Sequence, residues 1–581
     1  MQTSRGLRYI PAIDGLRAVA VIAVMLYHLG FKWIPGGFLG VDLFFVISGY
    51  VITRLLLDSI QQSEGLDLRA FYLARVRRLL PPLVFMIITT TLFIGFWAPE
   101  TMKRFIADTP FSLFGVMNWW LVFRHTDYFE AIGRPPLLQH TWSLGVEAQF
   151  YLIWPLILLL VLRQFGKRRI SSVALFIAAI SGTALLFLSF RIDSANASQV
   201  SHVYFGTDTH SIGLFLGAAL AVSWIPQNLK EVVTKKAQDF IDGIGVIGFL
   251  GIIATFLLIN ESDATLYKLA FPLAAIFGCA ILTSIVHPAS RVAPLLSSKP
   301  MIWIGERSYA IYLWHWIVFQ LTRPSVDIDG SPWALYALRI LIVFALADIS
   351  LRWVELPIRV GAVRYWFKGM KYRTKRVQMR QKGALVFVVL LLAISTTLVT
   401  TRAITTSDKV EIALKEELSL PIEPPIMKDA KSGLWVIGDS VILGIRHEMN
   451  ARHAIGLINA RVGRQVSELL EVIQHDKIRM VDATVIFNLG NNNKLTTEQV
   501  VAIFEEVKDQ PKIIVVNTAV PRGWRDENNA LISQYVKLYG ARLIDWATIS
   551  QGHPEYFAPD GVHLVPTGVI AYVDAISQFL P

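Results

Sequence analysis

The sequence predicts a polytopic α-helical membrane domain of about ten spans plus one linking span, followed by an α/β domain with a parallel sheet. Three observations carry this. Apolar residues make up 54% of the 581 residues, charged residues only 17%, and mean hydropathy is +0.48. A soluble domain holds about 25% charged residues, and a disordered chain lacks the apolar ones. The charge is also divided: residues from 403 onward hold 17 Lys+Arg against 22 Asp+Glu, so the +11 of the whole chain comes from the hydrophobic part. There, loop charge sets topology, and it is no argument for nucleic acid. Finally, short β-rich runs alternate with helical ones from Leu434 to the end.

Apolar runs fall near 13–30, 38–57, 79–97, 142–162, 171–190, 209–225, 241–260, 268–287, 309–322, 334–353 and 383–401. Each is long enough, or nearly so, to cross a bilayer. A further run, 111–123, is too short and reads as interfacial. With the N-terminus inside, the inner segments hold 25 Lys+Arg and the outer loops up to residue 333 hold 7. Shifting the register by one span would invert that ratio, so the positive-inside rule favours this arrangement. The resulting domains are 1–360 in the membrane, 361–402 as a basic cytoplasmic loop and eleventh span, 403–432 as an extracytoplasmic linker with Pro421, Pro424 and Pro425, and 433–581 as a catalytic domain outside the cytoplasmic membrane. In that domain Leu434–Ile437, Ala483–Asn488, Ile513–Asn517 and Arg542–Asp545 read as strands. Ser467–Gln474, Glu498–Val507, Asn528–Leu538 and Val569–Phe579 read as helices. Cys279 is the one cysteine, so no intrachain disulfide supports the domain.

The first strand ends in Gly438-Asp439-Ser440, just before a helix. A serine there sits at the carboxyl edge of the sheet, where α/β sites form. Alone it is also a common turn and cap. Near the other end, Asp560-Gly561-Val562-His563 sets a carboxylate three residues before an imidazole. Asp560 can hold the tautomer of His563 while the other ring nitrogen serves a nucleophile. Between them, the backbone of Gly463 and the side-chain amide of Asn492 can join the Ser440 N–H around a developing oxyanion. In the membrane domain, Arg17 and His28 are eleven residues apart on one helix, on one face and about 16 Å apart. Asp42, Glu147 and His315 are further ionisable groups within spans, which are costly and mark polar pathways. Arg75, Arg77 and Arg78 beside the third span serve as an inside anchor and suit a polyanionic donor.

The order Ser440, Gly463, Asn492 and Asp560-x-x-His563 resembles the SGNH (GDSL-like) hydrolase superfamily. Pro11 to Ala18, His28, Phe44 to Tyr50, Trp142-Ser143-Leu144 with Glu147, Tyr204 to Thr209, Tyr309 to Trp316 and Glu355-Leu356-Pro357 resemble the acyltransferase-3 family. The pairing is similar to bacterial O-acetyltransferases of cell-envelope polysaccharides, peptidoglycan among them. The resemblance implies an acyl-CoA donor, acetyl-CoA first, on the cytoplasmic side, with no metal, and Arg17 and His28 as the essential pair. It makes Ser440 the nucleophile, His563 the base and Asp560 its orienter. His210 stands where the family often has arginine.

The expected function is acyl transfer from cytoplasmic acyl-CoA to a hydroxyl of an envelope polysaccharide, most simply peptidoglycan, through an acyl-Ser440 ester. Tyr204 is a candidate relay at the outer mouth or, alternatively, an interfacial anchor. Competing readings are transfer to lipopolysaccharide O-antigen or another glycan, a tethered esterase, and a non-enzymatic transporter.

Overall fold

The computed structural model describes residues 9–62, 66–124, 134–191, 197–260, 266–324, 327–328, 331–419, 433–461, 463–477, 482–558 and 560–580. The apolar runs become helices at the expected places: Pro11–His28 (α1), Gly40–Gln62 (α2), Leu68–Trp97 (α3), Trp142–Phe165 (α4), Arg168–Ser189 (α5), Ile212–Ser223 (α6), Lys235–Leu258 (α7), Phe271–Ile285 (α8), Lys299–Leu321 (α9), Pro332–Ile349 (α10) and Lys375–Ser419 (α11). Nine helices among the described residues are long and apolar enough to cross a membrane. The remaining two, α6 and α9, differ for distinct reasons. The 12 residues of α6 fall short of a bilayer's thickness, and α9 begins eleven residues before Ala310 with a polar half that includes Glu306 and Arg307. The 111–123 stretch divides between Met102–Leu113 and Met117–Phe123, both too short to span.

Close backbone contact sets the bundle. A Cβ added at Gly305 of α9 would lie 1.9 Å from the Asp14 carbonyl of α1, so only glycine allows these helices to touch there. That approach aligns α1, with Arg17 and His28, along α9, with His315. Loops assigned to a common side also meet at a common end. Asn118 donates to the Phe205 carbonyl at 3.1 Å, and Arg134 pairs with Asp327 at 2.8 Å. At the opposite end Arg54 reaches Gln227 at 3.2 Å, and the Tyr309 hydroxyl reaches the Leu79 carbonyl at 2.8 Å.

One expectation needs correction. Residues 403–419, the first part of the expected linker 403–432, are helical and continue α11 as a single helix of 45 residues. The stretch from Lys409 to Glu417 is rich in Glu, Lys, Ala and Leu, which favour helix whether or not lipid surrounds them. The prolines of the expected linker lie outside the described residues.

The C-terminal domain has five parallel strands, Leu434–Gly438 (β1), Ile455–Ala460 (β2), Thr484–Asn488 (β3), Lys512–Val516 (β4) and Arg542–Ile544 (β5), in the order β2-β1-β3-β4-β5. The helices between them cover both faces, and the buried central strands carry apolar side chains on both sides. Four strands are where the sequence predicts them, and β2 is additional. Because β1 pairs with both β2 and β3, the chain direction across the sheet reverses there. A crevice opens at such a switch point, and Ser440 follows β1 directly.

Candidate active sites

The C-terminal site begins with Asp439, which caps the helix Ser440–Arg452 (α12) by accepting the Val441 N–H at 2.9 Å. Its carboxylate also accepts side-chain amides from Asn488 at 2.8 Å, Asn491 at 3.0 Å and Asn492 at 3.2 Å. A Cβ at Gly438 would lie 2.2 Å from the Asn488 amide oxygen, so glycine there lets the strand end close on this network. Burial raises the Asp439 pKa, against the opposing pull of those donors and of the nearby His563 charge. Ser440 is thereby fixed at the first turn of α12 and is 1% exposed.

His563 lies on a tight turn. Its Nδ1 donates to Asp560 at 2.6 Å, while the other Asp560 oxygen accepts the N–H groups of Val562 at 2.8 Å and His563 at 3.0 Å. Burial alone would raise the Asp560 pKa, but the hydrogen bond and charge of His563, with those two N–H groups, outweigh it and hold it below the ordinary carboxylate value. An ionised Asp560 only accepts, so the His563 proton sits on Nδ1 and Nε2 carries the lone pair. Val441 and Val562, neighbours of Ser440 and His563, share one hydrophobic cluster. The arrangement suits an activated serine.

The candidate oxyanion donors are less simply placed. Gly463 opens the turn after β2 with a φ of 74°. The Asn492 amide donates to Asp439 and, at 3.1 Å, to the Arg464 carbonyl, so an oxyanion would compete with both acceptors. Arg464 itself clamps the ends of β1 and β2 through the carbonyls of Gly438 at 3.0 Å and Asn459 at 2.6 Å. Asp439, Asn488 and Arg464 are supports that sequence reasoning passed over. The polar residues closing the apolar strands were the available signal.

The membrane domain holds a cavity of about 320 Å³ lined by Arg17, Arg54, Arg75, Arg78, Glu147 and Tyr312, among others. Arg75 and Arg78 are one turn apart on α3 and both reach it; Arg77 points elsewhere and is exposed. Glu147 accepts from Ser48 at 2.6 Å and from Tyr151 at 3.2 Å. At the limit of the cavity farthest from Arg75 and Arg78, the Tyr312 hydroxyl donates to the His140 carbonyl at 2.8 Å and meets Ser143 at 2.7 Å. Beyond it His28 and His315 come together, Nδ1 to Nε2 at 3.1 Å, with the His140 ring 6.0 Å from that of His315. Arg54 and His140 were not anticipated. His140 lies two residues before the apolar run that marks its span, and so reads as a loop residue.

Asp42 and Tyr204 stand apart from this route among the described contacts. Asp42 pairs with Nε2 of His210 at 3.0 Å, and Nδ1 of His210 donates to the Tyr204 carbonyl at 2.7 Å. The Tyr204 ring packs against Trp142, Phe205, His210 and Phe271 and does not line the cavity.

Serine chemistry of this kind moves acyl groups, and a membrane bundle with its own arginine-lined cavity makes the class a membrane-embedded acyltransferase. Residues 10–352 match the family model described as Acyltransferase domain (Acyl_transf_3), and the chain belongs to that acyltransferase-3 family. It is 34% identical to the peptidoglycan O-acetyltransferase OatA of Listeria monocytogenes serovar 1/2a, over 99% of this chain and 98% of that one. It is also 34% identical to the O-acetyltransferase OatA of Staphylococcus aureus (strain MRSA252), over 98% of this chain and 96% of that one. The C-terminal part aligns with the crystal structure of a GDSL-like lipase from Bacteroides thetaiotaomicron at 16% identity. That alignment covers 29% of this chain and 96% of the lipase, with a TM-score of 0.22.

Proposed function

We propose that this acyltransferase moves an acetyl group from cytoplasmic acetyl-CoA to a hydroxyl of peptidoglycan on the far side of the cytoplasmic membrane. The observation that carries this reading is the pairing, on one chain, of a four-arginine cavity in the bundle with Ser440 and the hydrogen-bonded His563–Asp560 pair of the C-terminal domain. Arginine binds phosphate in a fixed fork geometry, so Arg54, Arg75 and Arg78 would hold the phosphates of the donor. Arg17, on the wall of the same cavity, would help to hold the donor, and His28 would act on its thioester.

At the outer site, Ser440 gives its proton to Nε2 of His563 as its oxygen attacks the incoming acyl carbonyl; the bond from that carbonyl to the group that carried it breaks, the carrier leaves with the proton from Nε2, and the acyl-Ser440 ester remains. A sugar hydroxyl then loses its proton to the same nitrogen and attacks that ester, and Ser440 leaves with the proton restored. Full-length similarity to O-acetyltransferases supports a sugar rather than water as acceptor. Mass analysis of envelope glycans from cells with and without the gene tests this. Acetyl esters on peptidoglycan that appear with the gene support it. Esters that disappear with the gene indicate an esterase, and esters on another glycan move the acceptor.

The donor site carries its own expected result. Arg75→Ala and Arg78→Ala should each raise the KM for acetyl-CoA about tenfold or more, as loss of a charge-assisted phosphate contact implies, while Arg77→Ala leaves it unchanged. Equal effects at all three positions would point to surface charge instead. On the proposed topology, a reporter active only outside the cytoplasm should work when fused after Pro581 and fail when inserted at 371. The reverse pattern would overturn the orientation.

A further inference from the structure

We infer that His315 is the positioning residue for His28 and fixes Nε2 as the reactive nitrogen of His28. This rests on the reading above, in which His28 acts on the acyl donor. The Tyr312 carbonyl lies 2.6 Å from Nδ1 of His315, and a carbonyl only accepts. The His315 proton is therefore on Nδ1, and in the neutral ring Nε2 holds a lone pair. That lone pair faces Nδ1 of His28 at 3.1 Å, so His28 must donate from Nδ1. A neutral imidazole has one N–H, which leaves the lone pair of His28 on Nε2.

The chain of donors is anchored at both ends. His315 is fully buried and packs against Tyr312, Phe319 and His140. Tyr312, whose carbonyl terminates the chain, is itself held by the His140 carbonyl and Ser143 at the limit of the arginine-lined cavity. The ring of His28 is steadied by Trp316 at 4.9 Å between centroids. The outcome matches the C-terminal site, where Asp560 sets the same tautomer in His563. A carboxylate is an expensive orienter inside a bilayer. A neutral imidazole held by a backbone carbonyl does the same work without a buried charge.

The test uses the full-length chain in proteoliposomes, with release of the coenzyme A thiol from acetyl-CoA as the readout. His315→Phe keeps the ring and removes the acceptor; it should lower kcat about 100-fold or more, within the range for proton-transfer catalysis, with KM within about twofold. His315→Gln restores an acceptor near the Nε2 position and should recover at least about tenfold over His315→Phe. A packing role predicts the opposite order, with Phe tolerated and Gln damaging, and would overturn the inference, as would equal losses. Wild-type protein that binds acetyl-CoA but releases no thiol would remove the donor reading, and this inference with it. A second measurement needs no variant of His315. The ¹⁵N spectrum of histidine-labelled protein, assigned by difference from His28→Ala, should show His28 with a bare Nε2 and a protonated Nδ1. The reverse assignment would overturn the inference directly.

Discussion

Ser440→Ala should lower hydrolysis of p-nitrophenyl acetate by the full-length chain about 10⁴-fold or more, the scale seen when a triad nucleophile is lost. The side chain is 1% exposed and sits in the first turn of α12, so alanine fits without disturbing the sheet. Asp560→Asn should cost about as much although it keeps the shape. An asparagine amide can donate to Nδ1 and stabilise the wrong tautomer of His563. With Asp560 held below the ordinary carboxylate value, this orienting carboxylate should not contribute to the acid limb of the pH profile. Activity then falls as pH drops through the imidazole titration, because protonation removes the lone pair on Nε2, while Asp560 stays ionised throughout. Unchanged hydrolysis by Ser440→Ala would place the nucleophile elsewhere.

His28→Ala separates the two sites in the other direction. In cells it should reduce acetyl esters on the envelope glycan to the level of a strain lacking the gene, while hydrolysis of a soluble ester at Ser440 continues at the wild-type rate. His28 touches His315 and Trp316 and has no described contact with the C-terminal domain. Glycan acetylation that persists in this strain would reject the route through the bundle. Loss of both activities would mean that the substitution unfolds the chain.

Much of the architecture was legible because bilayer thickness and strand–helix alternation each leave a long, regular pattern. Arg17 and His28 were placed on one face by arithmetic alone, since helix pitch is fixed. The failures arise where a residue's meaning depends on a distant partner. Nothing near Asp42 announces His210, 168 positions away, and nothing near His28 announces His315, 287 positions away. Arg77 could not be separated from Arg75 and Arg78 without knowing which side of α3 faces the cavity. β2 escaped because Gly456 interrupts a short, half-exposed strand whose pattern matches a turn as well as a strand. The helical continuation of α11 escaped because its sequence is polar and runs into the prolines from Pro421 on, so the whole stretch was read as one linker.

That continuation has a kinetic consequence. At about 1.5 Å per residue, α11 is far longer than a bilayer is thick. Only 13 residues separate Ser419 from Gly433, at most about 50 Å of stretched chain. Ser440 is therefore leashed to the bundle, and on the proposed route such a leash acts as an effective concentration in the millimolar range. On the proposed route, each bundle charges its own serine. Output per molecule then does not depend on how densely the enzyme populates the membrane, and crowding many copies together brings no gain in rate.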